Sequence, residues 1–260
     1  MESFELIDTH CHIDFEAFDH DRETVIQNAR RTGVKQLVIP GVSAITWERV
    51  IELSTMKGIF IALGLHPCFI DQHSEQHLEQ LEAFIHTCSP VAIGEIGLDF
   101  FIQNPQTALQ KHYFESQLKI AEDAQLPVII HARKSIDTVI QTIEQQKFSH
   151  GGIMHAFNGS LQQAEKLIAM GFKLGFGGML TYERSNKLRQ LAKSLPLASI
   201  VLETDSPDMT GANHHGERNS PEYLPEVLDT LSQIRAIPQS ELANITSKNA
   251  QSVLNLSIQD

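Results

Sequence analysis

Histidines and carboxylates recur at the ends of the apolar segments of this sequence. His10 and His12 are two residues apart in the segment IDTHCH, so on an extended chain both imidazoles point to the same side. Two imidazoles that converge from one segment can begin a metal site. The chemistry predicted for them is the binding of a divalent ion that activates water for hydrolysis.

Four further residues of metal-binding type follow along the chain, and they are Glu95, His131, His155 and Asp205. A lone HxH segment carries little weight, because most histidines serve packing or the surface. Four imidazoles and two carboxylates together exceed the four ligands of a structural zinc site. They are enough for two divalent ions that share a carboxylate and leave positions for water and substrate.

Eight apolar segments alternate with longer segments of helical periodicity. They span residues 4–10, 34–40, 59–66, 91–98, 126–131, 151–157, 172–178 and 198–205. Such alternation predicts a parallel sheet buried on both faces, and eight strands can close a barrel. We therefore expect an α/β fold, a single (β/α)8 TIM-type barrel in one domain over residues 1–260. Two helical segments, 220–235 and 239–255, follow the last strand, which predicts an additional C-terminal helix.

The predicted barrel explains why the metal-type residues occur where they do. Active sites of these barrels form at the carboxyl ends of the strands. His10 and His12 close the first predicted strand, Glu95 lies within the fourth and His131 closes the fifth. Six such residues at one end of five strands are difficult to explain without a metal site.

Composition limits the classes of function. The net charge of −12 disfavours binding of a long phosphate backbone over a broad surface, so any nucleic acid must be bound locally. Three sparse cysteines predict free thiols in a reducing compartment, and we expect a cytoplasmic protein. Cys11 is expected to pack in the core. The sequence has no apolar run of membrane-spanning length and no signal-peptide pattern, so no membrane association is expected.

With these features in place, the sequence resembles the TatD family of metal-dependent deoxyribonucleases, within the amidohydrolase-like barrels. The resemblance runs from Ile7 to about Leu254. The matching segments, in the family's order, are IDTHCHIDF (7–15), ALGLHP (62–67), AIGEIGLDF (92–100), QLPVIIHARKS (125–135), GGIMHAFNGS (151–160) and VLETDSPDM (201–209).

The resemblance implies a metal-binding role for six residues, which are His10, His12, Glu95, His131, His155 and Asp205. Glu95 matches the carboxylate that bridges two ions. Asp205 matches an aspartate that binds metal and acts on the attacking water, and His66 matches a histidine that faces the substrate phosphate or the water. Asp205, His66 and Glu95 are therefore the predicted catalytic residues.

Three residues around this set have implied supporting roles. Arg133 and Asn219 match positions near the mouth of the site and, with His66, are predicted to bind substrate. Arg133 could instead pair with a neighbouring carboxylate. Glu203 is placed to support the metal ligands from behind. Asp99 is interpreted as a turn or cap residue, and His214 and His215 as surface residues.

The predicted function is metal-dependent hydrolysis of phosphodiester bonds with two divalent ions, Zn²⁺, Mn²⁺ or Mg²⁺. The predicted substrate is DNA, as short molecules or single-stranded ends, or a small phosphodiester, with no obligate protein partner. The alternative is a small-molecule amidohydrolase or lactonase with the same dinuclear site, since fold and metals do not fix the substrate. Phe100-Phe101-Ile102 replaces the Tyr-containing segment of many family members, which bears on substrate preference.

Overall fold

The computed structural model describes residues 4–256, in which eight parallel strands form one sheet whose order follows the chain. The strands are β1 (Leu6–Asp8), β2 (Val34–Pro40), β3 (Ile59–Leu63), β4 (Ala92–Asp99), β5 (Val128–Arg133), β6 (Gly152–Met154), β7 (Phe172–Phe176) and β8 (Ile200–Leu202).

Helices alternate with the strands and pack outside the sheet. They are α1 (Arg22–Arg31), α2 (Trp47–Leu53), α3 (Glu75–Cys88), α4 (Thr107–Ala124), α5 (Ile136–Gln146), α6 (Leu161–Ala169), α7 (Asn186–Ser194), α8 (Leu224–Arg235) and α9 (Gln239–Leu254). No helix within residues 4–256 is long and apolar enough to cross a bilayer.

Backbone hydrogen bonds draw the first and last strands together. The amide of Thr9 donates to Leu202 O at 3.1 Å, and the amide of Asp205 donates to His10 O at 2.8 Å. These bonds lie at the carboxyl ends of β1 and β8, so the sheet is nearly closed. The predicted (β/α)8 barrel is confirmed.

Side chains alternate between two cores along each strand, as a parallel sheet covered on both faces requires. The inner core contains Ile7, Val38, Phe60, Ala62, Ala92, Ile129, Ile153 and Val201. Ala250 and Leu254, in the last turns of α9, and Leu256, just beyond it, join this cluster. The additional C-terminal helix is therefore confirmed, and its last turn covers the interior of the barrel.

Several strands end earlier than predicted. His10, His66, His155 and Asp205 all lie beyond the last residue of their strand. Asp205 has φ +57° and Ala156, next to His155, has φ +43°, and this left-handed conformation does not continue a β-ladder. These four residues therefore lie on the loops that leave the barrel, whereas Glu95 and His131 lie within β4 and β5.

Candidate metal centre

The predicted metal ligands converge at the carboxyl end of the barrel. His10 and His12 follow β1, Glu95 lies within β4, and His131 lies within β5. His12, Glu95, His131, His155 and Asp205 line a cleft of about 1140 Å³. His10 lies beneath them and is completely buried.

The geometry of β4 places Glu95 at the centre of the group. The register between β4 and β5 shifts between Ile93 and Ile96, on either side of Glu95. A shift of this kind changes the direction of a side chain, and such shifts are frequent near active sites. The Glu95 carboxylate is 3% exposed.

The two oxygens of Glu95 face two different sets of histidines. Oε2 lies 3.2 Å from Nε2 of His10 and 3.6 Å from Nε2 of His12. Oε1 lies 3.2 Å from Nδ1 of His131 and 3.9 Å from Nε2 of His155. A carboxylate between two sets of imidazoles is in position to bridge two ions.

Asp205 also reaches both sets. Its Oδ1 lies 3.6 Å from Nε2 of His10 and 3.6 Å from Nε2 of His12, whereas its Oδ2 lies 3.7 Å from Nε2 of His155. The side chain is 15% exposed, compared with 3% for Glu95. Asp205 is therefore the more accessible of these two carboxylates to water in the cleft.

Two outer carboxylates face the far sides of two imidazoles. Asp99 Oδ2 lies 3.0 Å from Nε2 of His131, and Glu203 Oε1 lies 3.1 Å from Nδ1 of His155. Such a carboxylate fixes the tautomer and orientation of a metal-binding histidine. The structure places Glu203 beside His155, and its supporting role stays a prediction.

Asp99 contacts His131 in addition to its predicted place in a turn. Its Oδ1 accepts a hydrogen bond from the amide of Phe101 at 2.8 Å, as a turn residue would. Its Oδ2 faces His131 at the same time. The signal in the sequence is spacing, because Asp99 lies four residues after Glu95 and on an extended chain both side chains face the same side.

Asp8 was not singled out from the sequence. It is completely buried, and it accepts hydrogen bonds from the amide of Thr204 at 3.0 Å and from the Thr204 hydroxyl at 2.6 Å. Its Oδ1 also accepts from the amide of His10 at 3.2 Å. A charged residue inside the apolar run that precedes HxH was the signal that could have found it.

Burial and mutual charge set the protonation of the centre. Burial raises the pKa of Asp205 to about 7 and lowers the pKa of His10 well below its usual value. Burial opposes the charge of His155, but Glu203 and Asp205 raise its pKa to about 10. Burial opposes ionisation of Glu95, but His66 and His10 hold its pKa well below its usual value. The carboxylates thus favour the charged ring at His155, whereas burial favours the neutral ring at His10.

His66 lies beside this centre with one nitrogen already engaged. Its Nδ1 accepts a hydrogen bond from the amide of Cys68 at 3.1 Å, and its Nε2 lies 3.3 Å from Oε1 of Glu95. Burial lowers the pKa of His66, which favours the neutral ring. The proton of the neutral ring must then be on Nε2, so His66 presents a hydrogen-bond donor to the cleft.

The residues predicted near the mouth occupy two different positions. Arg133 lines the cleft, and its guanidinium carbon lies 4.0 Å from the centre of the Phe101 ring. Asn219 is 2% exposed and donates to Thr204 O at 2.8 Å and to Asp208 O at 2.7 Å. Its amide thus joins segments on both sides of Asp205, and a direct contact of Asn219 with substrate remains a prediction.

The structure also shows where Cys11, His214 and His215 lie, which are predicted to be a core residue and two surface residues. Cys11 is completely buried, as expected. The side chain of His214 is 23% exposed, and its ring nitrogens lie 2.9 Å from Glu217 and 2.9 Å from Glu226. His215 Nδ1 lies 3.2 Å from the Tyr182 hydroxyl. None of these residues lines the main cleft.

Comparison with known proteins agrees with the geometry. The family model described as TatD related DNase matches residues 7–255. The chain belongs to this family. A relative from Escherichia coli (strain K12), the uncharacterized metal-dependent hydrolase YjjV, is 39% identical over 253 residues, which covers 96% of this chain and 98% of the relative.

A second relative and a solved structure extend the match. The uncharacterized metal-dependent hydrolase YabD of Bacillus subtilis (strain 168) is 32% identical, covering 96% of this chain and 99% of the relative. The crystal structure of E. coli YjjV superposes with a TM-score of 0.93 at 39% identity, covering 97% of this chain and 98% of that one. This TatD-family chain is therefore a metal-dependent hydrolase, and its histidines and carboxylates are positioned to bind metal.

Proposed function

We propose that this protein hydrolyses phosphodiester bonds in short DNA or in single-stranded DNA ends, with two divalent ions. The observation that carries the proposal is the position of Glu95, whose two oxygens face two separate sets of histidines. The first ion would be held by His10, His12 and Asp205, and the second by His131 and His155, with Glu95 shared between them. A dinuclear centre is the arrangement that clamps both sides of a phosphoryl group.

The residues present fit such ions. Among the described residues, the ion pairs of Glu95, Glu203 and Asp205 are all with histidines, so no lysine or arginine neutralises these buried carboxylates. Buried charge of this kind requires a compensating cation. Imidazoles suit Zn²⁺ and carboxylates suit Mn²⁺ or Mg²⁺, so the donor set accommodates all three. Bound divalent ions lower the pKa of water and neutralise charge on phosphoryl oxygens.

The side chains of the chain itself have complementary roles in the proposed reaction. Asp205 accepts the proton of the attacking water, because it is more exposed than Glu95 and borders the cleft. His66 donates its Nε2 proton in a hydrogen bond to a phosphoryl oxygen, where negative charge grows in the transition state. Glu203 and Asp99 hold His155 and His131 in their orientations.

The mouth of the cleft favours a short or single-stranded substrate. Arg133 and Lys134 are exposed there, and Phe101 is 57% exposed with the Arg133 guanidinium over its ring. Aromatic rings and cations stack and pair with single-stranded bases and phosphates. Because the chain has a net charge of −12, most of its surface repels a nucleic acid, and attraction is confined to these cations at the site. A cytoplasmic location remains a prediction.

The test is cleavage of a short end-labelled single-stranded DNA by protein stripped with a chelator and then supplied with Mg²⁺, Mn²⁺ or Zn²⁺. We expect cleavage that depends on the added ion and is lost in Glu95→Ala. Glu82→Ala, on the exposed face of α3, is the matched control and should cleave as the wild type does.

The outcome that contradicts the proposal is an ion-loaded protein that cleaves no phosphodiester with any of the three ions. Hydrolysis of lactones or amides by that protein, lost in Glu95→Ala, would establish the small-molecule amidohydrolase function instead. Both reactions use an activated water, so the Glu95 variant separates chemistry at this centre from a contaminating activity.

A further inference from the structure

A second chamber lies beside the metal centre, next to the carboxyl ends of β6, β7 and β8. Its volume is about 410 Å³, within the range of pockets that bind small organic ligands. Five residues line both this chamber and the main cleft, and they are Ala156, Asn158, Lys187, Asp205 and Met209. The chamber therefore meets the cleft at Asp205, the residue assigned to the attacking water.

One part of the chamber wall is apolar and adaptable. Met179 and Met209 line it, and each is 37% exposed, so the chamber offers thioether side chains to an incoming group. Methionine is flexible and polarisable, and it packs well against aromatic rings. Phe176 lines the same chamber and is 1% exposed, so this part of the wall is a buried side chain fixed by packing.

The rim of the chamber is polar and positively charged. Arg184 and Lys187 are exposed, and in the described part of the chain neither forms an ion pair with a carboxylate. Lys187 Nζ donates to Asn158 O at 2.9 Å, which holds it where the two spaces meet. The positive charge of these two side chains at the rim favours an anionic ligand.

We propose that this chamber binds the nucleoside on one side of the scissile phosphate, with the base against Met179 and Met209 and the phosphate near Lys187 and Arg184. The proposal rests on the proposed phosphodiester hydrolysis, because the metal centre fixes the phosphate beside Asp205. A nucleoside has apolar faces and hydrogen-bonding edges. The chamber has the matching combination of thioether wall and amide rim, the latter from Asn158 and Asn186.

The test uses the methionines as probes. The chain contains six, which can be labelled with ¹³C at the methyl group and followed by NMR in metal-loaded protein. Thymidine 5′-monophosphate should shift the signals of Met179 and Met209. The signals of Met56 and Met170, which precede β3 and β7 at the opposite end of the barrel, should not move. Inorganic phosphate has no base to place against the methionines, so it should leave the Met179 signal unshifted.

A variant at Met179 measures how much the methionine wall contributes to nucleotide affinity. We expect Met179→Ala to weaken binding of thymidine 5′-monophosphate about tenfold without changing the affinity for inorganic phosphate. Met56→Ala is the matched control and should change neither affinity. The proposal would be overturned if Met179→Ala lost affinity equally for both ligands. It would also be overturned if the nucleotide left the NMR signal of Met179 unshifted.

Two further outcomes separate the hypotheses. Phenyl phosphate that shifts Met179 and binds as tightly as the nucleotide would overturn the assignment to a nucleoside, because the chamber would then accept any aromatic ring. Failure of the DNA cleavage assay is a distinct result, since these binding measurements require no turnover. Nucleotide binding at Met179 without cleavage would refute the hydrolysis and leave the nucleoside site established.

Discussion

Asp99 and His131 form a pair in which the carboxylate Oδ2 lies 3.0 Å from Nε2 of the imidazole, on the side away from Glu95. The other ring nitrogen, Nδ1, lies 3.2 Å from Oε1 of Glu95. The pair therefore fixes the proton on Nε2 and leaves Nδ1 free to bind an ion. His10, His12 and His155 present Nε2 to the centre instead, so His131 enters it in a different ring orientation.

The first prediction concerns this pair. Asp99→Asn keeps the shape of the side chain but removes its charge, so His131 becomes a weaker and less well oriented ligand. We expect metal affinity or kcat/KM to fall by roughly 10–100-fold, the usual range for such partners. Metal content and steady-state kinetics measure this effect. Asp123→Asn, exposed on α4, is the control, and an equal effect there would remove the specific role of Asp99.

The second prediction concerns metal removal. Ions that bind only the folded arrangement stabilise it, by about 2.7 kcal/mol when the free ion is at 100 times its Kd. We expect a chelator to lower the Tm of the wild type and of Glu82→Ala. For Glu95→Gln, the Tm of the ion-loaded protein and the Tm of the stripped protein should differ much less. Calorimetry with and without the ion measures these Tm values. An identical change in Tm on ion removal in all three proteins would argue against Glu95 as a ligand.

The third prediction concerns the space between Gly175 and Glu203. A Cβ atom added at Gly175 would lie 2.1 Å from Oε2 of Glu203, so Gly175→Ala must displace that carboxylate from His155. We expect the free energy of unfolding to fall by roughly 1–3 kcal/mol, as overpacking usually costs. Urea denaturation measures it, with activity as a second readout.

A double variant provides the control for Gly175. Glu203→Asp shortens the carboxylate side chain, so the pair Gly175→Ala with Glu203→Asp should lose less stability than the two single losses added together. Residues in direct contact are expected to show such non-additivity. Strictly additive losses would mean that the new methyl group does not meet Glu203.

The fourth prediction concerns the pH dependence of His214. Burial opposes its protonation, but hydrogen bonds to Glu217 and Glu226 together raise its pKa above the usual value. A raised folded-state pKa means that the stabilisation is complete below the unfolded-state pKa and is lost as pH rises through the folded-state value. We expect NMR titration of the His214 ring to give a lower pKa in Glu226→Gln, and an unchanged value would contradict this assignment.

Much of the fold could be predicted from the sequence. Apolar strands such as 34–40 and amphipathic segments such as 108–125 have local periodicities that survive folding, and they occur as β2 and α4. The ends of the strands were less predictable. β8 ends at Leu202, three residues before Asp205, and the left-handed conformation of Asp205 is not encoded in hydrophobicity. The role of α9 in covering the inner core also depends on contacts distant in sequence.

The sequence by itself determined the set of ligand types and the end of the barrel where they occur, because the apolar segments, the side-chain alternation within them and the place of each ligand type in its segment are local properties. Only the tertiary structure decided how they divide between the two oxygens of Glu95. It also decided that Asp99 faces His131, that Asn219 holds the Asp205 segment and that a second chamber meets Asp205. These relationships join side chains from loops remote in sequence, and their distances are set when the barrel closes.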